Sequence, residues 1–213
     1  KRVQNIFLDV MENVKQLNLH FIPPISWPKV SLISTFYKGE KFIQGYLDAF
    51  KNASLNYPGF SELILIDANS PENEKKILDE FQKENSTLNI KYVRTEDKIT
   101  TSKAFNLATN MSSGEYISTV LIDDRIHKDY FRLLSKALKN NPDIDMVYGN
   151  YYVVEDEECL SWEKNNSTIL YQDSLIPFSK EACVKNIQGC APTYRKSVHD
   201  KVGGYDEQLL HRS

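Results

Sequence analysis

Two adjacent carboxylates, Asp123 and Asp124, stand at the end of the apolar run Tyr116 to Ile122. Their like charges repel, so the pair gains little unless a cation or a hydrogen-bond network lies between them. Hard divalent cations such as Mg2+ and Mn2+ take oxygen ligands, which makes the pair a candidate metal site. A turn, or an Asx-type cap on the next helix, would use the same two residues. Further polar side chains recur at intervals: Thr35 and Tyr37, Asp67 and Asn69, Lys103 and Asn106, then Arg125 beside the acidic pair. Together they suit a nucleotide diphosphate held through a metal. A hydroxyl and an aromatic would face base and ribose, a carboxylate would accept from a base N–H or ribose hydroxyl, and the metal would neutralise the phosphates. Taken singly, each has an ordinary structural use as strand threonine, helix-capping aspartate, helix-surface amide or solvated cation.

The elements that must position these groups follow a rhythm. Val30 to Thr35, Leu63 to Ile66, Ile90 to Val93, Tyr116 to Ile122 and Ile144 to Val154 read as strands, being short apolar runs rich in β-branched residues. Helical spacing fills the gaps: Phe42 to Phe50, Glu72 to Glu84 after Pro71, Ser102 to Met111 and Tyr130 to Leu138. Strands starting about thirty residues apart are βαβ units. The expected fold is therefore α/β: a Rossmann-like, mostly parallel central sheet with helices on both faces. Ligands of such sheets collect beyond the carboxyl ends of the strands, where the polar side chains lie. No P-loop GKS/T and no GxGxxG occurs, so side chains rather than a glycine-rich cradle must hold any phosphate.

Residues 1–28 read as an N-terminal helical extension or linker, with Ile6, Leu8, Val10, Met11, Val14 and Leu17 near helical spacing and Pro23, Pro24 and Pro28 breaking it. After Val154 the rhythm fails, and residues 155–190 carry no period; such stretches often hold specificity. Val198 to Glu207 reads as a short helix stopped at Gly203-Gly204.

The totals exclude several classes. A 213-residue chain with 41% hydrophobic and 26% charged residues is an ordinary globular protein, and a net charge of −3 argues against a nucleic-acid backbone binder. Three cysteines, Cys159, Cys183 and Cys190, without a CxxC pair suit a reducing compartment and no zinc site. The expected location is the cytoplasm, or the inner face of a membrane through other parts of a parent protein. The start at Lys1 and the end just past a turn read as a segment of a longer chain with further domains. His20, His127, His199 and His211 lack metal-ligand spacing, and Asn85-Ser86-Thr87 and Asn166-Ser167-Thr168 read as chance triplets.

Three blocks resemble a known family. PKVSLISTFYKGEKFI (Pro28 to Ile43), SELILIDANSPENE (Ser61 to Glu74) and KAFNLATNMSSGEYISTVLIDDR (Lys103 to Arg125) are similar to the donor half of inverting glycosyltransferases of family 2, which have the GT-A fold. GCAPTYRKSVHDKVGGYDE (Gly189 to Glu207) resembles the acceptor-half stretch that ends in a GGFDE-like turn. The resemblance implies a GT-A domain over 29–213, with a nucleotide-sugar donor half at 29–125 and an incomplete acceptor half at 126–213. It also implies sugar transfer, with inversion, from a UDP-, GDP- or dTDP-sugar to a hydroxyl on a glycan, lipid-linked or protein acceptor, such as a bacterial surface polysaccharide or glycoconjugate. Asp124 falls on the family's metal-binding aspartate and Asp123 on its neighbour near ribose or metal. Thr35 and Tyr37 fall on the nucleotide pocket, and Lys103 and Asn106 near diphosphate and sugar. Arg125, read from its place after the acidic pair, would reach a phosphate or the acceptor, though an exposed arginine after a strand is just as common. Two departures stand out. The family's second strand usually ends in two aspartates, and here the base-contacting second one is Ala68. The catalytic base should lie beyond Ser213. A non-catalytic nucleotide-sugar or glycan-binding module is the alternative those departures suggest. A sugar nucleotidyltransferase is a second, poorly matched by the loop Phe36 to Glu40.

Overall fold

The computed structural model describes residues 3–6, 26–149, 151–154, 169–171 and 191–208. Its main sheet is built on two strands with no polar face. These are β2 (Val30–Phe36) and β3 (Ser61–Asp67), parallel, with every residue buried. Alternation sends successive side chains to opposite faces, so an apolar run serves two cores at once. Leu32, Leu63 and Leu65 face one core, packed by Ile43, Leu47 and Phe50 of α1 (Glu40–Leu55), Leu78 and Phe81 of α2 (Glu74–Glu84), and Phe131 and Leu134 of α4 (Tyr130–Asn140). Ile33, Ile64 and Ile66 face the other, packed by Ala104, Phe105 and Ala108 of α3 (Thr101–Met111).

The six-stranded order is β4 (Asn89–Arg94), β3, β2, β5 (Tyr116–Thr119), β10 (Thr193–Arg195), β7 (Met146–Val147). β4, β3, β2 and β5 run parallel; β10 is antiparallel to both of its neighbours. This is the mixed, mostly parallel sheet expected, with each loop leading from a strand to the next helix on one edge. A second sheet, of order β6 (Arg125–Ile126), β1 (Val3–Ile6), β8 (Tyr151–Val154), β9 (Ile169–Tyr171), lies outside that expectation. The predicted strand Ile144 to Val154 is therefore two strands in two sheets. Its valines and tyrosines favour strand at both ends, while the break follows from β7 pairing with β10 and β8 with β1. Of the predicted N-terminal helix, Ile6 lies in β1, and the remainder falls outside the described residues, as do 155–168 and 172–190. The strand read as Tyr116 to Ile122 ends at Thr119, although Val120 N–H still donates to Ile33 O. Among the described residues no helix is long and apolar enough to cross a membrane.

α5 (Lys196–Val202) stops at Gly203, φ 90°, followed by Gly204, φ 84°. Two consecutive left-handed residues make this a position for glycine.

Candidate active site

Three strand ends meet on one edge of the sheet. β2 delivers Thr35, whose hydroxyl donates to Ile66 O (3.0 Å), tying it to β3. Tyr37 follows, 39% exposed, with Lys98 Nζ 3.8 Å from its ring centroid. The β2 and β3 loops are braced to each other. Lys38 N–H donates to Ser70 Oγ (3.0 Å), Gly39 N–H to Glu74 Oε1 (2.6 Å), and Ser70 Oγ to the same Oε1 (2.7 Å). Glu74 is buried, and the bonds to its Oε1 are what its desolvation demands.

β3 delivers Asp67, only 1% exposed. Its carboxylate accepts from Ser70 N–H (2.6 Å), Tyr92 O–H (2.6 Å) and Arg94 Nη1 (2.8 Å). Tyr92 and Arg94 are two apart on β4 and so share a face, with Arg94 in register opposite Asp67. Burial first, then the neighbouring Asp67 charge, push the Tyr92 hydroxyl above its ordinary pKa, so it stays a donor. Enclosed by three donors, Asp67 braces the loop; it does not present its carboxylate to the open edge as its predicted role of contacting a base or ribose requires. Asn69 sits at φ 63°, its Nδ2 donating to Glu96 O (2.8 Å) and its Oδ1 accepting from Arg94 (2.9 Å). Ala68 is buried, its N–H on Phe36 O.

β5 leads to the acidic pair. Asp124 N–H donates to Leu121 O (3.0 Å), closing a turn that leaves Leu121 43% exposed, Asp123 partly exposed and Asp124 4% exposed. Asp124 lies on the core side: its charge adds to the burial that pushes the hydroxyl of Tyr130 up to about 12 and raises that of Tyr46. Exposure thus ranks Asp123 ahead of Asp124 as a group open to a ligand, the reverse of the order that the resemblance implies. Arg125, expected at the donor phosphates, is turned inward and 4% exposed. Its guanidinium donates to Ile122 O (3.0 Å), Asp124 O (2.9 Å) and Phe42 O (2.9 Å). Through these three carbonyls the cation holds the acidic loop onto α1. Gly45 makes this possible: a Cβ there would stand 2.7 Å from Arg125 Nε and Nη2.

On α3, Thr100 caps the first turn by accepting from Lys103 N–H, and Lys103 is exposed. Asn106, expected near the diphosphate, instead bonds Tyr205 and Glu207 of the turn after α5. Tyr92, Arg94, Lys98 and Leu121 were not singled out from sequence. The alternation of β4, with Tyr92 and Arg94 on one face, was a signal for the first two; Lys98, in a loop, gave none.

A divalent ion fits this donor set in one way. Among the described residues no three of His, Cys, Asp or Glu converge, so these form no all-protein cage. One partly exposed carboxylate, Asp123, beside the buried Asp124, matches the habit of Mg2+-like ions, which take one or two carboxylates and complete their shell with water and substrate phosphate oxygens.

The fold is of the GT-A, Rossmann-like type, a mostly parallel sheet with helices on both faces. The glycosyl transferase family 2 model matches residues 31–203, and the chain belongs to that family. It is 24% identical over 135 residues to an uncharacterized glycosyltransferase, MJ1057, of Methanocaldococcus jannaschii, covering 61% of this chain and 43% of that one. The structure is similar to the mannosyltransferase PcManGT from Pyrobaculum calidifontis, solved in complex with GDP-Man and Mn2+. The TM-score there is 0.65 at 15% identity, covering 93% of this chain and 54% of that one. It is also similar to residues 1–349 of S. aureus TarS in complex with UDP, with a TM-score of 0.64 at 18% identity over 86% of this chain and 52% of that one. The chain spans about half the length of these relatives.

Proposed function

We propose that this domain binds a nucleotide-diphosphate-sugar and transfers the sugar, with inversion, to a hydroxyl acceptor. The observation that carries the proposal is the partly exposed Asp123 at the end of a buried strand, on the same edge as Thr35, Tyr37 and Lys98. In this reading 29–125 forms the donor half and 126–213 part of the acceptor half. Asp123 holds a divalent ion, Mn2+ or Mg2+, together with the donor diphosphate. When bound, that ion neutralises charge on the departing nucleotide diphosphate. Asp124 and Arg125 fix the loop from the core side. The Tyr37 ring offers a flat surface for the base, with the Lys98 cation against it. Lys103, at the first turn of α3, supplies a cation toward the diphosphate. With Asp67 enclosed and Ala68 in place of an acid, the base meets Arg94 and Lys98 rather than a carboxylate, so the edge offers donors to base carbonyls. UDP-, GDP- and dTDP-sugars all carry such carbonyls. The acceptor is a glycan, lipid-linked or protein hydroxyl, as in surface polysaccharide synthesis, and the sparse cysteines support a cytoplasmic setting.

The test is calorimetric titration of UDP, GDP and dTDP into the protein with and without Mn2+, repeated on Asp123→Asn. Mn2+-dependent binding that the variant lacks is expected. Absence of metal-dependent binding to any of the three, in the parent protein as well, would sink the proposal.

A further inference from the structure

The side chain of Asn106 carries three hydrogen bonds to a segment about a hundred residues away. Its Oδ1 accepts from Tyr205 N–H (2.8 Å), and its Nδ2 donates to Tyr205 O (2.9 Å) and to Glu207 Oε1 (2.9 Å). An amide that bonds both main-chain groups of one residue mimics a strand partner and fixes that residue in position and orientation. The contact is tight. A Cβ at Gly204 would lie 2.7 Å from Asn106 Oδ1 and 2.9 Å from His199 Cε1, and the Tyr205 ring packs on Phe105, centroids 5.5 Å apart. Topology says what is held. β10 runs antiparallel to β5 and ends where β5 begins, on the edge away from the acidic pair. α5 starts there, with Lys196 N–H on Glu115 O, and carries the chain back. α3 starts on the opposite, donor-side edge, and Asn106 is five residues into it, a rise of about 7.5 Å.

We propose that Asn106 is a positioning residue: it pins the turn 203–207 of the acceptor half to α3 of the donor half, and so fixes that turn relative to the donor edge. This rests on the transferase reading above. It departs from placing Asn106 against the diphosphate, because the amide is committed to the turn.

The experiment uses the full-length parent protein, comparing wild type with Asn106→Ala, Asn106→Asp and the pair Asn106→Asp/Glu207→Gln. Expected for Asn106→Ala are a kcat lower by about 10- to 100-fold, as displacement of about 1 Å near a reacting centre produces, and an affinity for nucleotide diphosphate with Mn2+ that is unchanged. The Tyr205 amide should exchange faster with solvent. Asn106→Asp should behave similarly, because a carboxylate cannot donate to Tyr205 O and repels Glu207. Glu207→Gln in that background should restore part of kcat. A wild-type kcat in Asn106→Ala, or nucleotide affinity falling in step with kcat, overturns the inference alone. Wild-type protein that neither binds nucleotide diphosphate nor transfers sugar overturns the transferase reading, and this inference with it.

Discussion

Strand β3 carries a buried carboxylate near each end, and the two are chemically alike. Glu62 and Asp67 are each 1% exposed. Glu62 accepts from Ser31 Oγ (2.7 Å), Ser113 N–H (2.6 Å) and Ser113 Oγ (2.8 Å) and pairs with Lys91 (2.8 Å). Asp67 accepts from Ser70, Tyr92 and Arg94. Both are saturated, and both have one half-exposed cation. They differ in their company. Around Glu62 the backbone closes on itself, with Gly114 N–H on Ser31 Oγ and Tyr116 N–H on Lys29 O. Around Asp67 the loops leave Tyr37, Leu121 and Asp123 open. A buried, well-bonded acid therefore marks a braced loop at either end, and the site is marked by the partly exposed groups that the brace holds in place.

The largest effects should separate the two ends. Glu62→Ala strands Lys91 and the Ser31 and Ser113 donors, and should cost about 3–4 kcal/mol of stability. Chemical denaturation reads that loss, while the folded fraction should bind nucleotide diphosphate as wild type does. Asp123→Asn should do the opposite: transferase activity down about 100-fold, or about 2.7 kcal/mol, with the urea midpoint nearly unmoved, because a partly exposed turn carboxylate holds up little. Equal losses of stability and activity in either variant would erase the distinction.

Acid should destabilise the Glu62 end. Burial raises its pKa, but Lys91, Ser31 and Ser113 outweigh burial and hold it at about 2, against an ordinary 4.5. The folded state thus binds this proton more weakly than the unfolded state. The stabilisation is complete above about pH 4.5 and is lost as pH falls toward 2. About 2 kcal/mol should disappear across that window, allowing for the solvent around Lys91. Urea unfolding at pH 5 and pH 2.5 measures it, and in Glu62→Gln the difference should shrink by that amount.

The same contrast explains what could be read from sequence. β2 and β3 were legible because strands buried on both faces carry apolar residues on both, as Leu63 to Ile66 does, and the helices because their packed stripes recur at helical spacing. The acidic pair was legible because like charges beside a buried strand demand a reason. The direction in which each acid points was not: a one-residue step in a turn decides between core and solvent, and no pattern records it. Arg125 and Asn106 mislead for a related reason. Much of what they bond is main chain, three carbonyls for Arg125 and the Tyr205 peptide for Asn106, and such groups leave no trace in residue type. The second sheet escaped because its members are two to four residues long, too short for periodicity to distinguish from loop.

The smallest effect tests whether the donor end is braced through Arg125. Gly45→Ala places a good helix former inside α1, which by itself should add about 0.5–1 kcal/mol of stability. Its Cβ would meet Arg125 Nε and Nη2 at 2.7 Å, on a guanidinium whose Nη2 is held by the carbonyl of Phe42 and whose Nη1 is held by those of Ile122 and Asp124. Moving a buried guanidinium off even one of those carbonyls costs about 1.5–3 kcal/mol. The second term is larger, so a net loss of about 1 kcal/mol is expected, with nucleotide affinity falling a few-fold as the turn 121–124 loosens. At the Glu62 end a comparable loss of stability should leave affinity alone. A more stable Gly45→Ala with full affinity would mean that Arg125 swings aside without cost, and that the acidic turn is held by its own Asp124-to-Leu121 bond and the β5 strand rather than from α1.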